Sequence, residues 1–384
     1  MTSAPCFDRV LVIVFPARGD VLLATGLIRG IKRQHPEAQI DVLTQTGQGD
    51  VLIGNGDVRN VIETKRGASH REGYAYVRSI WNKYDITIST SASDRAALYT
   101  YFGSRYRVSI LPHESINRWK RWLHHEYVTL DAETHTLAEI AALGEKIGLE
   151  HCLEVVPPRD AKADARLDEV LPGWRERPFA VLHPTPREAY KRWHKEGWRE
   201  LAAALEAEGL DLVVTGSNAP AERAYLDELL SVLPPSTRDV AGALSLGQMT
   251  ALLEHSRLYV GVDTLVGHLA ASVNAPSVVV FGPTKPSKWA PWPYGRTSRE
   301  QPHARVGSAR AGNVFIVQGT ADCVPCDRLG CLGRPDSHSD CLDQLGAHRV
   351  LSACREMLRW SAARFGDACA SPAACGATQD AAEG

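Results

Sequence analysis

The sequence has no run of about 18 apolar residues, so no membrane-spanning helix is expected. Its opening, Met1 to Asp8, has neither a basic segment nor a long apolar one, so no secretory signal is read there and a cytoplasmic protein is expected. Charge of one sign is also missing. The formal net charge is −2 over 384 residues, which excludes nucleic acid as the main partner. A G-x-G-x-x-G fingerprint is absent, which disfavours a nicotinamide-dependent dehydrogenase.

What is present is apolar material in alternating periods. At 44% hydrophobic residues, the chain can build two domains of ordinary size. "RVLVIV" (Arg9 to Val14) is a continuous apolar run suited to a buried parallel strand. Further strands are read at Gln39 to Thr44, Asn60 to Glu63, Tyr84 to Thr90 and Tyr106 to Leu111, with helical patterns between most of them. The second half repeats the rhythm, with strands at Phe179 to His183, Leu210 to Gly216, Arg257 to Val262 and Pro276 to Gly282. The expected fold class is therefore α/β, two doubly wound Rossmann-like domains with a cleft between them. The expected boundaries are an N-terminal domain over 1–160, a Pro- and charge-rich linker over 161–177 and a C-terminal domain over 178–346. A Cys-rich insert falls at 323–341, a C-terminal helix over 347–366 and a disordered tail over 367–384.

In such sheets ligands bind beyond the carboxyl ends of the strands. After the first strand stand Arg18, Gly19 and Asp20. Gly19 permits a tight turn and a close ligand. Asp20 reads either as a helix cap or as a general base facing the cleft. "HPTPREAYKRWHKEGW" (His183 to Trp198) offers Thr185, Arg187, Lys191 and Arg192 as anion ligands or as a solvated loop. "GVDTLVGHLAASVNAPSVVVFGPTKP" (Gly261 to Pro286) sets Asp263 and Thr264 at the opening of a helix, a natural diphosphate site, with His268 one turn on. Gly282-Pro283-Thr284 forms a second tight loop at the same rim. Lys65 and Arg66, and "NRWKRWLHH" (Asn117 to His125) with Arg118 and Lys120, read either as a surface for an anionic lipid-bearing acceptor or as solvated loops.

The chain has nine Cys, five of them between Cys323 and Cys354. Cys323-x2-Cys326-x4-Cys331-x9-Cys341 can close a structural tetrahedral site, zinc by default with iron equally suited to four thiolates. The alternative is reduced thiols packing a small subdomain.

Four signatures in order resemble the glycosyltransferase family 9 of bacterial lipopolysaccharide heptosyltransferases. They are "GDVLLATGLIRGIKRQHPEAQIDVLT", "HPTPREAYKRWHKEGWREL", the long stretch from Val240 to Pro291, and the Cys spacing ending in Cys341-Leu342. The resemblance runs from Arg9 to about Phe365. It implies a GT-B architecture, an ADP-activated heptose donor, a lipid-linked core acceptor and inversion without a catalytic metal. It also implies a cytoplasmic enzyme, with peripheral contact at the inner membrane. The family's catalytic carboxylate falls on Asp20, its phosphate-binding threonine and lysine on Thr185 and Lys191, and its diphosphate loop on Asp263 and Thr264. His268 takes the family's histidine position. One departure stands out: Leu265 follows Thr264 where the family commonly has Gly, and the Gly comes later, as Gly267. Two alternatives share the resemblance, a transferase that glycosylates protein hydroxyls and one that uses another nucleotide-sugar. A nucleotide- or sugar-binding protein without turnover is disfavoured by the joint presence of Asp20, Lys191 and Asp263-Thr264.

Overall fold

The computed structural model describes residues 7–15, 17–113 and 118–365. The tail expected to be disordered lies outside the described residues, as does the side chain of Arg118. The chain divides into two compact units. Unit 1 holds the chain up to Pro158 together with Gly295–Gln301, and unit 2 holds Arg159–Tyr294 and the chain from Pro302 onward.

Unit 1 is a six-stranded sheet in the order β3-β2-β1-β4-β5-β6, every neighbour parallel. Its strands are β1 (Arg9–Ile13), β2 (Gln39–Gln45), β3 (Asn60–Thr64), β4 (Tyr84–Ser89), β5 (Ser104–Leu111) and β6 (Glu126–Thr129). Four α-helices join it: α1 (Arg18–Gln34), α2 (His70–Ile80), α3 (Asp94–Gly103) and α4 (Thr136–Glu145). The apolar run of β1 is buried from Val10 to Ile13, as a central parallel strand covered on both faces requires. Leu22, Ile28 and Ile31 of α1 are fully buried, and α1 packs on α4.

Unit 2 opens with α5 (Ala163–Val170) and builds β7 (Phe179–His183), α6 (Lys195–Ala207), β8 (Asp211–Val214), α7 (Pro220–Leu230) and β9 (Arg238–Asp239). It continues with α8 (Leu246–His255), β10 (Leu258–Val262), α9 (Leu265–Ser272), β11 (Ser277–Phe281), α10 (Pro286–Trp289), β12 (Ala309–Ala311), β13 (Val314–Gln318), α11 (Asp340–Asp343) and α12 (Ala347–Phe365). The sheet order is β12-β13-β11-β10-β7-β8-β9, antiparallel only at β12 and β13. In each unit the strand order reverses once beside the first strand, at β1/β4 and at β7/β10.

Two expectations about organisation need correction. The segment 161–177 is not a linker. It carries α5, which packs on α8, with Leu167, Leu171 and Trp174 buried and the Trp174 ring edge-on to His255. Leu167 lies within the helix, while Leu171 caps its end and Trp174 sits in the turn that follows, so the apolar residues that bury this segment straddle a helix end that flanking prolines and charges disguise. The segment 295–301 belongs to unit 1, where Arg299 pairs with Glu145 at 2.6 Å and His151 Nε2 lies 3.1 Å from the Thr297 carbonyl oxygen.

Candidate active site

In unit 2 the crossover between β7 and β10 brings the two loops at their carboxyl ends side by side. From the β7 side comes Lys191, the last residue of a 3-10 turn at Ala189–Lys191. From the β10 side comes Asp263, and the two meet with Lys191 Nζ 2.9 Å from Asp263 Oδ2. The loop after β11 closes the group, as Thr284 Oγ1 donates to the same Oδ2 at 2.8 Å. Burial alone would push the Lys191 ammonium down. The Asp263 charge and hydrogen bond outweigh that and hold it above the ordinary lysine range. Three strand ends thus share one buried ion pair, and the lysine stays cationic at any working pH.

Thr185 sits on the same β7 loop, buried, and its hydroxyl has no hydrogen-bond partner among the described residues. Gly216, at the end of β8, makes room for it, since a Cβ there would come 2.9 Å from Thr185 Oγ1. Thr264 occupies the N-cap position of α9 with extended backbone, but its hydroxyl does not bond to the helix. The first amides of α9 point outward by helix geometry, which favours an anion at that end. His268 is buried on α9, its imidazole pushed down to about 4 by burial, with Asp263 and Lys191 close enough to act on it. It is therefore neutral near pH 7, and its Nδ1 has no partner among the described residues. Unit 2 so brings Lys191, Asp263 and His268 together beside Thr264, with Thr185 on the same β7 loop as Lys191. Thr284 is a direct partner of Asp263, a contact that the reading of its loop as a tight turn did not contain. Lys285 and Lys288, both buried, flank the same loop and were missed because no spacing rule marks them.

In unit 1 Asp20 is the third helical residue of α1, not the cap; Ala17 holds that position, and its amide donates to Asp20 Oδ2 at 3.2 Å. Gly19 lies in the first turn of α1, and a Cβ there would meet nothing within 4 Å. No tight turn requires this glycine; its effect is to leave the space beside Asp20 empty. Arg18 is engaged with Asp50, Nη2 to Oδ2 at 2.9 Å. Lys65 and Arg66 are exposed after β3, Lys65 pairing with Glu72 at 2.9 Å. Lys120 departs from the surface reading. It is 2% exposed, 2.6 Å from Asp94 and donating to the Ala92 carbonyl at 2.8 Å, so it anchors the start of α3. Its neighbours Trp119 and Trp122 are exposed, Trp122 at 91%.

In the Cys-rich segment the four cysteines do not close the expected four-thiolate site, since no three of their sulfurs lie within 4.8 Å of one another. Cys341 is pushed up to about 12, first by burial and then by the nearby Cys326, Cys323 and Cys331. Among the described residues, the group of three ligand atoms within 4.8 Å of one another is Cys331, His338 and Asp340. The sequence spacing did not include His338 or Asp340, and with Cys331 they are the residues that would hold an ion here. It would brace the segment rather than act on substrate.

In doubly wound α/β chains the switch point between strands is where ligands bind. The comparisons narrow this. The family model of glycosyltransferase family 9 (heptosyltransferase) matches residues 74–299, more than half of the chain, and the chain belongs to that family. It is 28% identical over 288 residues to lipopolysaccharide heptosyltransferase 3 of Escherichia coli, an alignment covering 71% of this chain and 83% of that protein. The fold matches the E. coli ADP-heptose lipopolysaccharide heptosyltransferase II with a TM-score of 0.69 at 20% identity, over 92% of this chain and 99% of that one. It matches a family 9 glycosyltransferase from Veillonella parvula with a TM-score of 0.74 at 16% identity, over 93% and 99% of the two chains. The chain is thus a glycosyltransferase of the heptosyltransferase family, with the α/β fold of parallel sheets that those GT-B enzymes share.

Proposed function

We propose that this enzyme moves a heptose from an ADP-activated donor to a lipid-linked lipopolysaccharide core acceptor, with inversion and without a catalytic metal. The observation that carries the reading is the Lys191–Asp263–Thr284 group at the β7/β10 switch point. A diphosphate leaving group gains negative charge as its bond to the sugar breaks. Lys191, the Thr185 hydroxyl and the first amides of α9 supply the donors that such charge requires. Asp263 orients Lys191, and neutral His268 donates or accepts without adding charge. Asp20 accepts the proton of the acceptor hydroxyl, whose oxygen bonds to the anomeric carbon while the carbon–diphosphate bond breaks on the opposite face. Arg18, Gly19, Lys65 and Arg66 line the acceptor side of this reading. Leu265, where the family has Gly, tunes the donor.

A donor screen tests it: ADP-heptose and other nucleotide-sugars against truncated lipopolysaccharides, with the product's mass and anomeric configuration read. Transfer from ADP-heptose to the lipid supports the reading. Transfer only from another nucleotide-sugar, or only to a protein hydroxyl, overturns it in favour of one of its two relatives.

The same reading includes peripheral contact with an anionic membrane. Residues 65–125 carry eleven Lys and Arg against four Asp and Glu in a chain whose formal net charge is −2. Exposed Tyr74, Trp81, Trp119 and Trp122 accompany them. No helix among the described residues is long and apolar enough to cross a membrane. The double variant Trp119→Ala/Trp122→Ala should lose co-sedimentation with anionic vesicles while keeping its affinity for ADP; unchanged sedimentation would remove the membrane contact from the reading.

A further inference from the structure

The Cys-rich segment does not hang from unit 2 as an appendage. It touches both loops of the anion rim through residues beside its cysteines. Asp327 follows Cys326 with a φ of +57°, a left-handed conformation that turns the chain toward the β11 loop. Its amide donates to the Pro283 carbonyl at 2.8 Å, and its carboxylate lies 3.4 Å from Lys285 Nζ. These contacts flank Thr284, the partner of Asp263. On the other side, Ser339 stands two residues before Cys341 at the N-cap position of α11. A serine there ordinarily caps its own helix. This one makes no such bond and donates instead to the Tyr190 carbonyl at 2.6 Å, the peptide that leads into Lys191. Ser339 is buried. Gly330 and Gly282 permit this fit: a Cβ on Gly330 would come 2.8 Å from Tyr190 Cβ, and one on Gly282 would come 2.7 Å from Leu342.

From this geometry we infer that the Cys-rich segment sets the spacing of the diphosphate rim, with Ser339 and Asp327 as its positioning residues. Ser339 fixes the Tyr190–Lys191 side and Asp327 the Pro283–Lys285 side. The turns between Cys326 and Cys341, with the Cys331 amide donating to the His338 carbonyl at 2.9 Å, tie the two together. A group that leaves this separation unset must order the loops on binding, and affinity falls by that cost. The inference rests on the reading of the rim as a diphosphate site.

Calorimetry with ADP on the full chain tests it. Ser339→Ala should raise the ADP dissociation constant about fivefold, the effect of one lost hydrogen bond, while Ser339→Thr, which keeps the hydroxyl, stays near wild type. Asp327→Ala should weaken ADP by a similar factor, and that effect should vanish in a Lys285→Ala background, because Asp327 acts through Lys285. With donor and acceptor both supplied, Ser339→Ala should raise KM for the donor and leave kcat nearly unchanged, a split that general loss of folded protein does not produce. Melting curves that match wild type establish that the variants are folded. If wild type binds ADP and Ser339→Ala and Asp327→Ala bind it equally well, the positioning role is overturned and the diphosphate reading stands. Additive effects of Asp327→Ala and Lys285→Ala overturn the route through Lys285. If wild type itself does not bind ADP, the diphosphate reading fails and the inference fails with it.

Discussion

Because Asp20 accepts the Ala17 amide, removing its carboxylate takes away a helix-end hydrogen bond together with the proposed base. Two substitutions separate these roles. Asp20→Asn keeps an acceptor for the amide but has no basicity. It should lose at least about a hundredfold in transfer rate, with a melting temperature near wild type. Asp20→Ala should lose the same activity and about 1 kcal/mol of stability as well. ADP affinity should survive both changes, and turnover near wild type in Asp20→Asn would end the assignment of Asp20 as base. Lys191→Ala should show the converse pattern, with ADP binding weakened in calorimetry, since it strips the cation from the rim and leaves Asp263 with the Thr284 hydroxyl. At this scale the neighbourhood of Lys191 and Asp263 was legible, because both stand just past strand ends that share one edge of the sheet, whereas their ion pair itself was not. Lys120 was misread because its sequence neighbours are exposed tryptophans. Only the position of Asp94 reveals that this lysine is drawn inward. Lys285 and Asp327 were illegible because their pairing joins loops 42 residues apart with no motif between them.

Elements were readable where their burial was uniform. β1, β7, β10 and β11 are continuous apolar runs between turns, and the sequence places all of them within a residue or two. β6 is an edge strand, half-buried throughout, so its four residues carry no periodic signal. β13 is apolar, but no helix pattern leads from it into the next element, and β12, its antiparallel neighbour, has only three residues. The segment carrying α5 shows the opposite failure: composition argued for a linker while Leu167 in the helix and Leu171 and Trp174 just past its end are all buried. Leu167→Ala tests which description governs energetics. A core residue of α5 should cost about 2–5 kcal/mol and lower the melting temperature, whereas a linker residue would cost nothing measurable. The thiol segment has its own check. Metal analysis of reduced, purified protein should give about one zinc or iron per chain, and its absence would leave the four cysteines as packing residues.

For the molecule as a whole, pH acts through buried imidazoles, His183 and His268 foremost among them. His183 and His268 are each pushed down to about 4 by burial, and His183 Nδ1 lies 2.9 Å from Thr215 Oγ1. In the unfolded chain both bind protons below about 6.5, and in the folded chain only below about 4. The unfolded state therefore binds more protons in this window. Stability is fully present above about pH 6.5 and declines as pH falls toward 4, by about 3 kcal/mol for each histidine. Denaturant melts at several pH values should show this decline, and His183→Gln should make it shallower; an unchanged slope would mean that His183 is not buried in its neutral form. The return of residues 295–301 to unit 1 has a consequence for how the protein is made. A ribosome delivers the chain from its first residue, and domains commonly fold as they emerge. Here the piece that Glu145 and His151 await is synthesised only after β7 through β11 of the other unit. That unit in turn waits for β13 and α12. Neither half is finished while the other is still to come, so the nascent protein passes most of its synthesis with two incomplete halves, and a chaperone has a long interval in which to act.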